Sequence, residues 1–141
     1  MSAEVPAGFE LFTRPSPLMD PWRPLYANTQ ADRVILGLHL REAHTNSRAT
    51  AHGGLIAAVA DQAMGMSCGV RLASEHIPPA GLWTTSLTID YLDAGQIGQW
   101  LAFDTVFCRV GKVICNAEID VTADGVTIAR GRATFRVASA R

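Results

Sequence analysis

Between Arg33 and Arg41, apolar side chains fall at Val34, Leu36, Leu38 and Leu40, every second position, which is the period of a half-buried strand. A polar loop, His44 to Ala51, follows. The period then lengthens: Leu55, Val59, Gln62, Met66 and Val70 recur every three or four residues, with alanine and glycine filling much of the rest. This predicts a helix over 53–72 that is apolar nearly all round. Such a helix belongs at the centre of a domain, where its small residues let a sheet approach closely. Pro78 and Pro79 mark the loop after it.

The second half is strand-rich, with runs at Leu82–Tyr91, Gln99–Val110, Val113–Thr122 and Val126–Val137 separated by Gly, Asp and Asn-type breaks. Asp124-Gly125 is a strong hairpin signal. Gly111-Lys112 is a weaker one; as a two-residue turn it sets Val110 opposite Val113 and Cys108 opposite Cys115. In the last run Ala129, Gly131, Ala133, Phe135 and Val137 alternate with Arg130, Arg132, Thr134 and Arg136. One face is therefore small and apolar, fit to meet the helix, and the other is basic. The expected architecture is α+β: one strand, a buried helix, then a four-strand antiparallel meander curling around that helix.

Upstream of the first strand, Phe9 to Tyr26 carries Pro15, Pro17, Pro21 and Pro24 among Phe12, Leu18, Met19 and Trp22. That is too broken for a long regular element, so residues 1–28 are expected to form an irregular arm. Its apolar side chains must bury over the core or against a second subunit.

At 141 residues, 48% of them apolar, the chain has the length of one domain, 1–141, with a substantial core. Twelve basic residues against 13 acidic, with no run of like charge, argue against a nucleic-acid partner. The longest apolar stretch is broken by Asp61 well short of membrane-spanning length, and no basic segment followed by an apolar one opens the chain, so a soluble, unexported protein is expected. Cys68, Cys108 and Cys115 form no C-x-x-C pair and suit a reducing compartment; the expected location is the cytoplasm.

Against this background Asp61 stands out. It lies in Leu55-Ile56-Ala57-Ala58-Val59-Ala60-Asp61-Gln62-Ala63-Met64, where a carboxylate has almost nothing local to pair with. Burying one unpaired costs several kcal/mol. Either it reaches an arginine or an amide and locks the helix, or it does chemistry. Directly before the helix stands His52-Gly53-Gly54. Two glycines there leave backbone N–H groups uncovered at the positive end of the helix dipole, an oxyanion hole in outline, although Gly-Gly at a helix start also serves tight packing. The eight-residue step from Gly53 to Asp61 spans about 12 Å along a helix axis. The two cannot act on one carbonyl within one helix. If both are catalytic, two antiparallel helices must lie side by side, each offering its amides to the site where the other supplies the carboxylate, in a two-fold dimer.

The pattern Asn46-x5-His52-Gly53-Gly54-x6-Asp61, with His44 two before the Asn, resembles the hotdog-fold thioesterase superfamily, in particular the phenylacetic-acid-degradation (PaaI-like) branch. The likeness extends to Pro24-Leu25-Tyr26 in the arm, to the strand Thr84–Tyr91 ending in Asp-Tyr-Leu, and to a closing Ala-x-Gly-x-Ala-Thr-Phe. It implies a curved antiparallel sheet wrapped around one long central helix. It also implies hydrolysis of an acyl-coenzyme A thioester, in a homodimer that pairs again into a homotetramer. By match to the family, the Gly53 amide and Asn46 polarise the thioester carbonyl, Asp61 is nucleophile or general base, and Thr84 helps to position the attacking water. Thr85 and Ser86 adjoin Thr84, and a slip of one residue changes which points inward. Where the family often carries Gly three residues after the Asn, this chain has Ala49, and it has Ala51 before the His; a positive φ at residue 49 would be mildly strained in alanine.

His52 and Gly54 are assigned to substrate binding, with a structural alternative for His52 as the cap that holds the loop. His39, His44, His52 and His76 have no metal-ligand spacing, and no Gly-x-Ser-x-Gly elbow exists, so neither a metal nor another cofactor is expected. Arg130, Arg132 and Arg136 are a solvated face, a subunit contact or a contact to coenzyme A phosphates. The alternatives to hydrolysis are a non-catalytic acyl-thioester-binding module of the same fold, or an acyl-thioester hydratase or dehydratase.

Overall fold

The computed structural model describes residues 4–77 and 81–138; the loop marked by Pro78 and Pro79 falls outside them. Helix α1 runs Gly53–Ser74, and seven strands form one sheet: β1 Glu10–Leu11, β2 Tyr26–Thr29, β3 Val34–His39, β4 Gly81–Tyr91, β5 Trp100–Arg109, β6 Ile114–Ala123 and β7 Val126–Ala138. All neighbours are antiparallel, in the order β1-β2-β3-β5-β6-β7-β4. One long helix against a curved antiparallel sheet is the hotdog fold.

The strand periodicities translate directly into burial, whereas of the helix period only Leu55 and Val59 are buried and Gln62, Met66 and Val70 are half-exposed. Val34, Leu36, Leu38 and Leu40 are all buried, as are Ala129, Ala133, Phe135 and Val137 on β7, while Arg130, Arg132 and Arg136 face outward. On α1 the buried stripe comprises Leu55, Ile56, Val59, Ala60, Ala63, Met64, Ser67, Cys68 and Leu72. Each such side chain contributes about 1.5–3 kcal/mol on burial for a Leu, Ile, Val or Met. Ser67 is the one polar member, and it is satisfied: its Oγ accepts from Val34 N at 3.1 Å and donates to Val34 O at 3.3 Å, tying α1 to the start of β3. The opposite stripe of α1 (Ala57, Ala58, Asp61, Gln62, Gly65, Met66, Gly69, Val70) stays half-exposed, so the helix is covered on one side only.

The four C-terminal strands do not make a simple meander. β4 pairs with β7 at the far edge, and β5 pairs with β3. The reason lies in the connection 92–99, which crosses the end of the sheet rather than turning back: Leu92 N donates to Ile128 O, and Ala51 N donates to Gly95 O. Once β3 occupies one side of β5 and β6 the other, no place beside β5 remains for β4. The Asp124-Gly125 turn forms as expected, with φ of 47° and 84°, and joins Ala123 to Val126. The Gly111-Lys112 connection is wider than two residues: Arg109 is opposite Asn116, so Cys108 faces Ala117 across the ladder and not Cys115.

The arm is more ordered than its prolines suggest. After Pro24 the chain is free to pair, and Tyr26–Thr29 adds β2 to the edge of β3, with β1 beyond it. Phe12, Met19 and Leu25 bury in the core of the same chain, whereas Leu18 is exposed. Two polar groups fasten the arm to the rest. Arg23 gives its guanidinium to the carbonyls of Phe12 and Arg14 and to Asp20. Buried His44 presents Nε2 to Trp22 O at 2.8 Å while its Nδ1 accepts from Arg41 N at 3.1 Å. Burial lowers the His44 pKa from 6.5, favouring the neutral ring that this donor and acceptor pair requires.

Candidate active site

Asp61 lies on the open stripe of α1, half-buried, and β4 supplies its partner: Thr84 Oγ1 donates to Asp61 Oδ1 at 2.6 Å. A bulge between Thr84 and Ser86 decides which of the three adjacent hydroxyl residues faces the helix. Thr84 sits opposite Phe135, on the helix side; the bulged Thr85 turns back to donate to Thr134 O at 3.1 Å; after it the alternation resumes with Leu87 opposite Ala133. The carboxylate thus has a strand hydroxyl for company and no arginine or lysine paired with it among the described residues.

Asp61 and Thr84 open onto a groove of about 640 Å³ along α1. Val34, Met66, Val70, Leu82 and Phe135 give it apolar walls, Gly65, Gly69 and Ala73 make the room, and Arg14 reaches its rim from the arm. The helical spacing of Gly65, Gly69 and Ala73 keeps one side of α1 free of bulk and hollows a trough, while the small residues Ala60 and Ala63 are buried in the core.

At the other end of the helix, His52 is the N-cap. Its Nδ1 accepts from Gly54 N at 2.8 Å, so the Gly54 amide is already bonded within the chain. Gly53 N–H has no acceptor among the described residues. Tyr91, at the end of β4, stands over this turn and donates its hydroxyl to Gly53 O at 2.6 Å. A Cβ on Gly53 would meet the Tyr91 ring at 3.2 Å, and one on Gly54 would press on His52 at 3.0 Å, so a side chain at either position would crowd its neighbour. Tyr91 was legible only as part of the strand ending Asp-Tyr-Leu; its contact with the helix start depends on the bulge at Thr85, which no local pattern signals.

Asn46 anchors the loop before the helix. Its Oδ1 accepts from Arg48 N and Thr50 N at 2.9 and 3.2 Å, its Nδ2 donates to Thr50 Oγ1 at 3.0 Å, and Thr45 bridges to Ala51. The tightness of that loop forces Ala49 to φ 59°, the left-handed conformation suspected from its sequence position.

The structure brings Asp61 to Thr84 and leaves Gly53 two helical turns away, with Asn46 in the loop before it. Each chain therefore carries, at separate places, a carboxylate with a hydroxyl in the wall of the groove along α1 and an unbonded amide at the positive end of a helix. A carboxylate and an unbonded backbone amide are groups of the kind that hydrolysis of an activated acyl group uses. Comparison with known proteins places the chain further: residues 49–129 match the model of the Thioesterase superfamily, and the chain belongs to that family. It is similar to a Pseudomonas aeruginosa protein provisionally named an esterase, at 33% identity over 77% of this chain and 78% of that one. It is also similar to human acyl-coenzyme A thioesterase 13, at 30% identity over 72% and 71%. Among solved structures, a variant of the phenylacetic acid degradation protein PaaI from Thermus thermophilus superposes with a TM-score of 0.73 at 20% identity, covering 86% of this chain and 99% of that one.

Proposed function

We propose that the protein hydrolyses acyl-coenzyme A thioesters in a single hotdog domain that works as a homodimer, with each site shared between two copies of the chain. Asp61 of one copy activates water or attacks the thioester carbon, and Thr84 holds the carboxylate in place. The Gly53 amide and the Asn46 side chain of the other copy hydrogen-bond the carbonyl oxygen as it gains charge. One preorganised donor of this kind lowers the barrier by about 3 kcal/mol. Coenzyme A thiolate is a good leaving group, so no separate strong acid is needed. His52 holds the helix start, and Gly54 serves by giving its N–H to that cap; this favours the structural reading of both over direct contact with substrate.

The observation that carries this reading is the Thr84–Asp61 hydrogen bond in the wall of the groove along α1. The half-open stripe of α1 and the unpaired edge of β4 support the dimer: Leu87 and Tyr91 on β4 are exposed beside Ala57, Ala58 and Asp61, the surface a second helix would cover. The name of the human relative supports acyl-CoA as the substrate class.

The test is thiol release from acyl-CoAs of graded chain length and from an aryl-acyl-CoA, with wild type beside Asp61→Asn and Asp61→Ala. Both variants should lose at least about 100-fold in kcat/KM, the scale for removing a general base. Equal rates for all three proteins would contradict the mechanism. No release by wild type from any substrate, with binding retained, would make this an acyl-thioester-binding module.

A further inference from the structure

Behind the groove, the fold gathers all three cysteines of the chain. Cys68 on α1 is buried, Cys115 on β6 is buried, and Cys108 on β5 is partly exposed. The Sγ atoms of Cys68 and Cys108 lie 3.2 Å apart, about 1.2 Å more than the length of a disulfide bond.

A second bulge produces this pair. Along β5, Leu101, Phe103 and Thr105 are buried in alternation; the register then shifts between Thr105 and Phe107. Phe107 is left 48% exposed on the outer surface, and Cys108 and Val110 turn in to pack against the core. Without the shift, Cys108 would point away from α1. The two thiols are also unlike. At Cys68 the hydrogen-bonded contact with Cys108 and enclosure push the pKa up. At Cys108 the same hydrogen bond, together with the neighbouring Arg71 charge, pulls the pKa down; Arg71 Nη1 reaches Cys108 O at 3.4 Å. The more accessible sulfur is thus the one beside Arg71, and the enclosed sulfur lies within reach of it. A partly exposed thiol beside an enclosed one that can resolve it is the arrangement that peroxide oxidises stepwise.

We propose that Cys68 and Cys108 form a peroxide-sensitive dithiol that closes to a disulfide and ties α1 to β5. The Cys108 thiolate attacks one oxygen of hydrogen peroxide, breaking the O–O bond; the departing hydroxide takes up a proton as water, leaving Cys108 sulfenic acid. The Cys68 sulfur then attacks the Cys108 sulfur, the S–O bond breaks, and the second hydroxide leaves as water with the Cys68 proton. Two thiols and one peroxide give one disulfide and two waters. Gly69, next to Cys68, lines the groove together with Gly65, so the tether fixes the stretch of helix that forms the groove wall.

The experiment treats the reduced full-length protein with hydrogen peroxide and follows intact mass, thiol alkylation and tryptic peptides. The expected product is monomer lighter by about 2 Da with a single alkylatable cysteine. Trypsin separates the three cysteines, and the linked species should join residues 49–71 to residues 72–109. The melting temperature of the oxidised protein should rise by about 5 °C and return on reduction. Cys68→Ser should leave Cys108 as a sulfenic acid that dimedone captures, and Cys115→Ser should still form the link. A link through Cys115, a crosslink between chains, or three free thiols after treatment that fully oxidises a small dithiol would each overturn the proposal. The peptide map of the native chain decides even if a variant fails to fold.

Discussion

Replacing Thr84 by valine isolates the contact on which the candidate site turns. Valine keeps the branched shape on β4 and removes the hydroxyl that donates to Asp61 Oδ1 at 2.6 Å. Because Thr84 is exposed within the chain, folding stability should change by less than about 1 kcal/mol. The effect on catalysis should be larger. A hydrogen bond to an ionised acceptor contributes about 1.5–3 kcal/mol. If that contribution is made when Asp61 acts on the thioester, kcat/KM falls by about 10- to 150-fold. Thr84→Ser restores a hydroxyl at the same Cβ and should lie within about threefold of wild type. The assay is initial-rate thiol release over a range of acyl-CoA concentrations, with urea denaturation in parallel. Valine at wild-type kcat/KM would refute the role of the hydroxyl. Serine as impaired as valine would show that shape at residue 84, and not the hydrogen bond, is what counts.

Two further perturbations address the frame around the site. Ala49 holds φ 59°, at a cost of about 1–2 kcal/mol for an L-residue, partly offset in glycine by the greater freedom of its unfolded chain. Ala49→Gly should therefore raise stability by about 0.5–1 kcal/mol in urea denaturation; a loss of stability would mean the conformation is unstrained. His44 has its pKa depressed below 6.5 by burial, so above that value both folded and unfolded chains hold a neutral ring and pH has no leverage through this residue. Below it the unfolded chain binds a proton that the folded chain refuses, and stability falls as the pH drops. The melting temperature should decline more steeply between pH 7 and 5 in wild type than in His44→Asn; parallel profiles would contradict the assignment.

The strands of this fold were legible wherever one face is buried, because burial writes a period into the sequence: Val34 to Leu40 along and just past β3, and Ala129 to Val137 on β7; α1 was legible as a helix, but Gln62, Met66 and Val70 of its period lie on the half-exposed side and not in the buried stripe. Strand order was not legible. Whether β4 joins β5 or crosses to β7 depends on how residues 92–99 pack against the loop before α1, a tertiary matter with no local period. The chemistry divides in the same way. Asp61 declared itself as a carboxylate inside an apolar helix, and Gly53 as one of two glycines at a helix start. Thr84 could not be separated from Thr85 and Ser86 without the bulge that sets their directions. Tyr91 and Cys108 owe their positions to bulges as well, and a bulge shifts parity without leaving a mark in composition. The β2 strand escaped notice because four prolines dominate the arm and only Tyr26–Thr29, after the last of them, pairs with β3.

The central claim is that Asp61 from one chain and Asn46 with Gly53 from another build each site. Subunit mixing tests it most directly. Asp61→Asn and Asn46→Ala, each nearly inactive alone, are dissociated, mixed in equal amounts and reassembled. Half of the dimers are then mixed, and each mixed dimer has one site carrying both substitutions and one carrying neither. Activity should recover to about one quarter of wild type. Disturbance of the loop by Asn46→Ala does not spoil the result, since the Gly53 beside it serves the site that is already lost. If Asp61 and Asn46 act within the same chain, every site in the mixture keeps one defect. Activity that stays at the level of the separate variants, in mixtures shown to contain mixed dimers, would contradict the shared site.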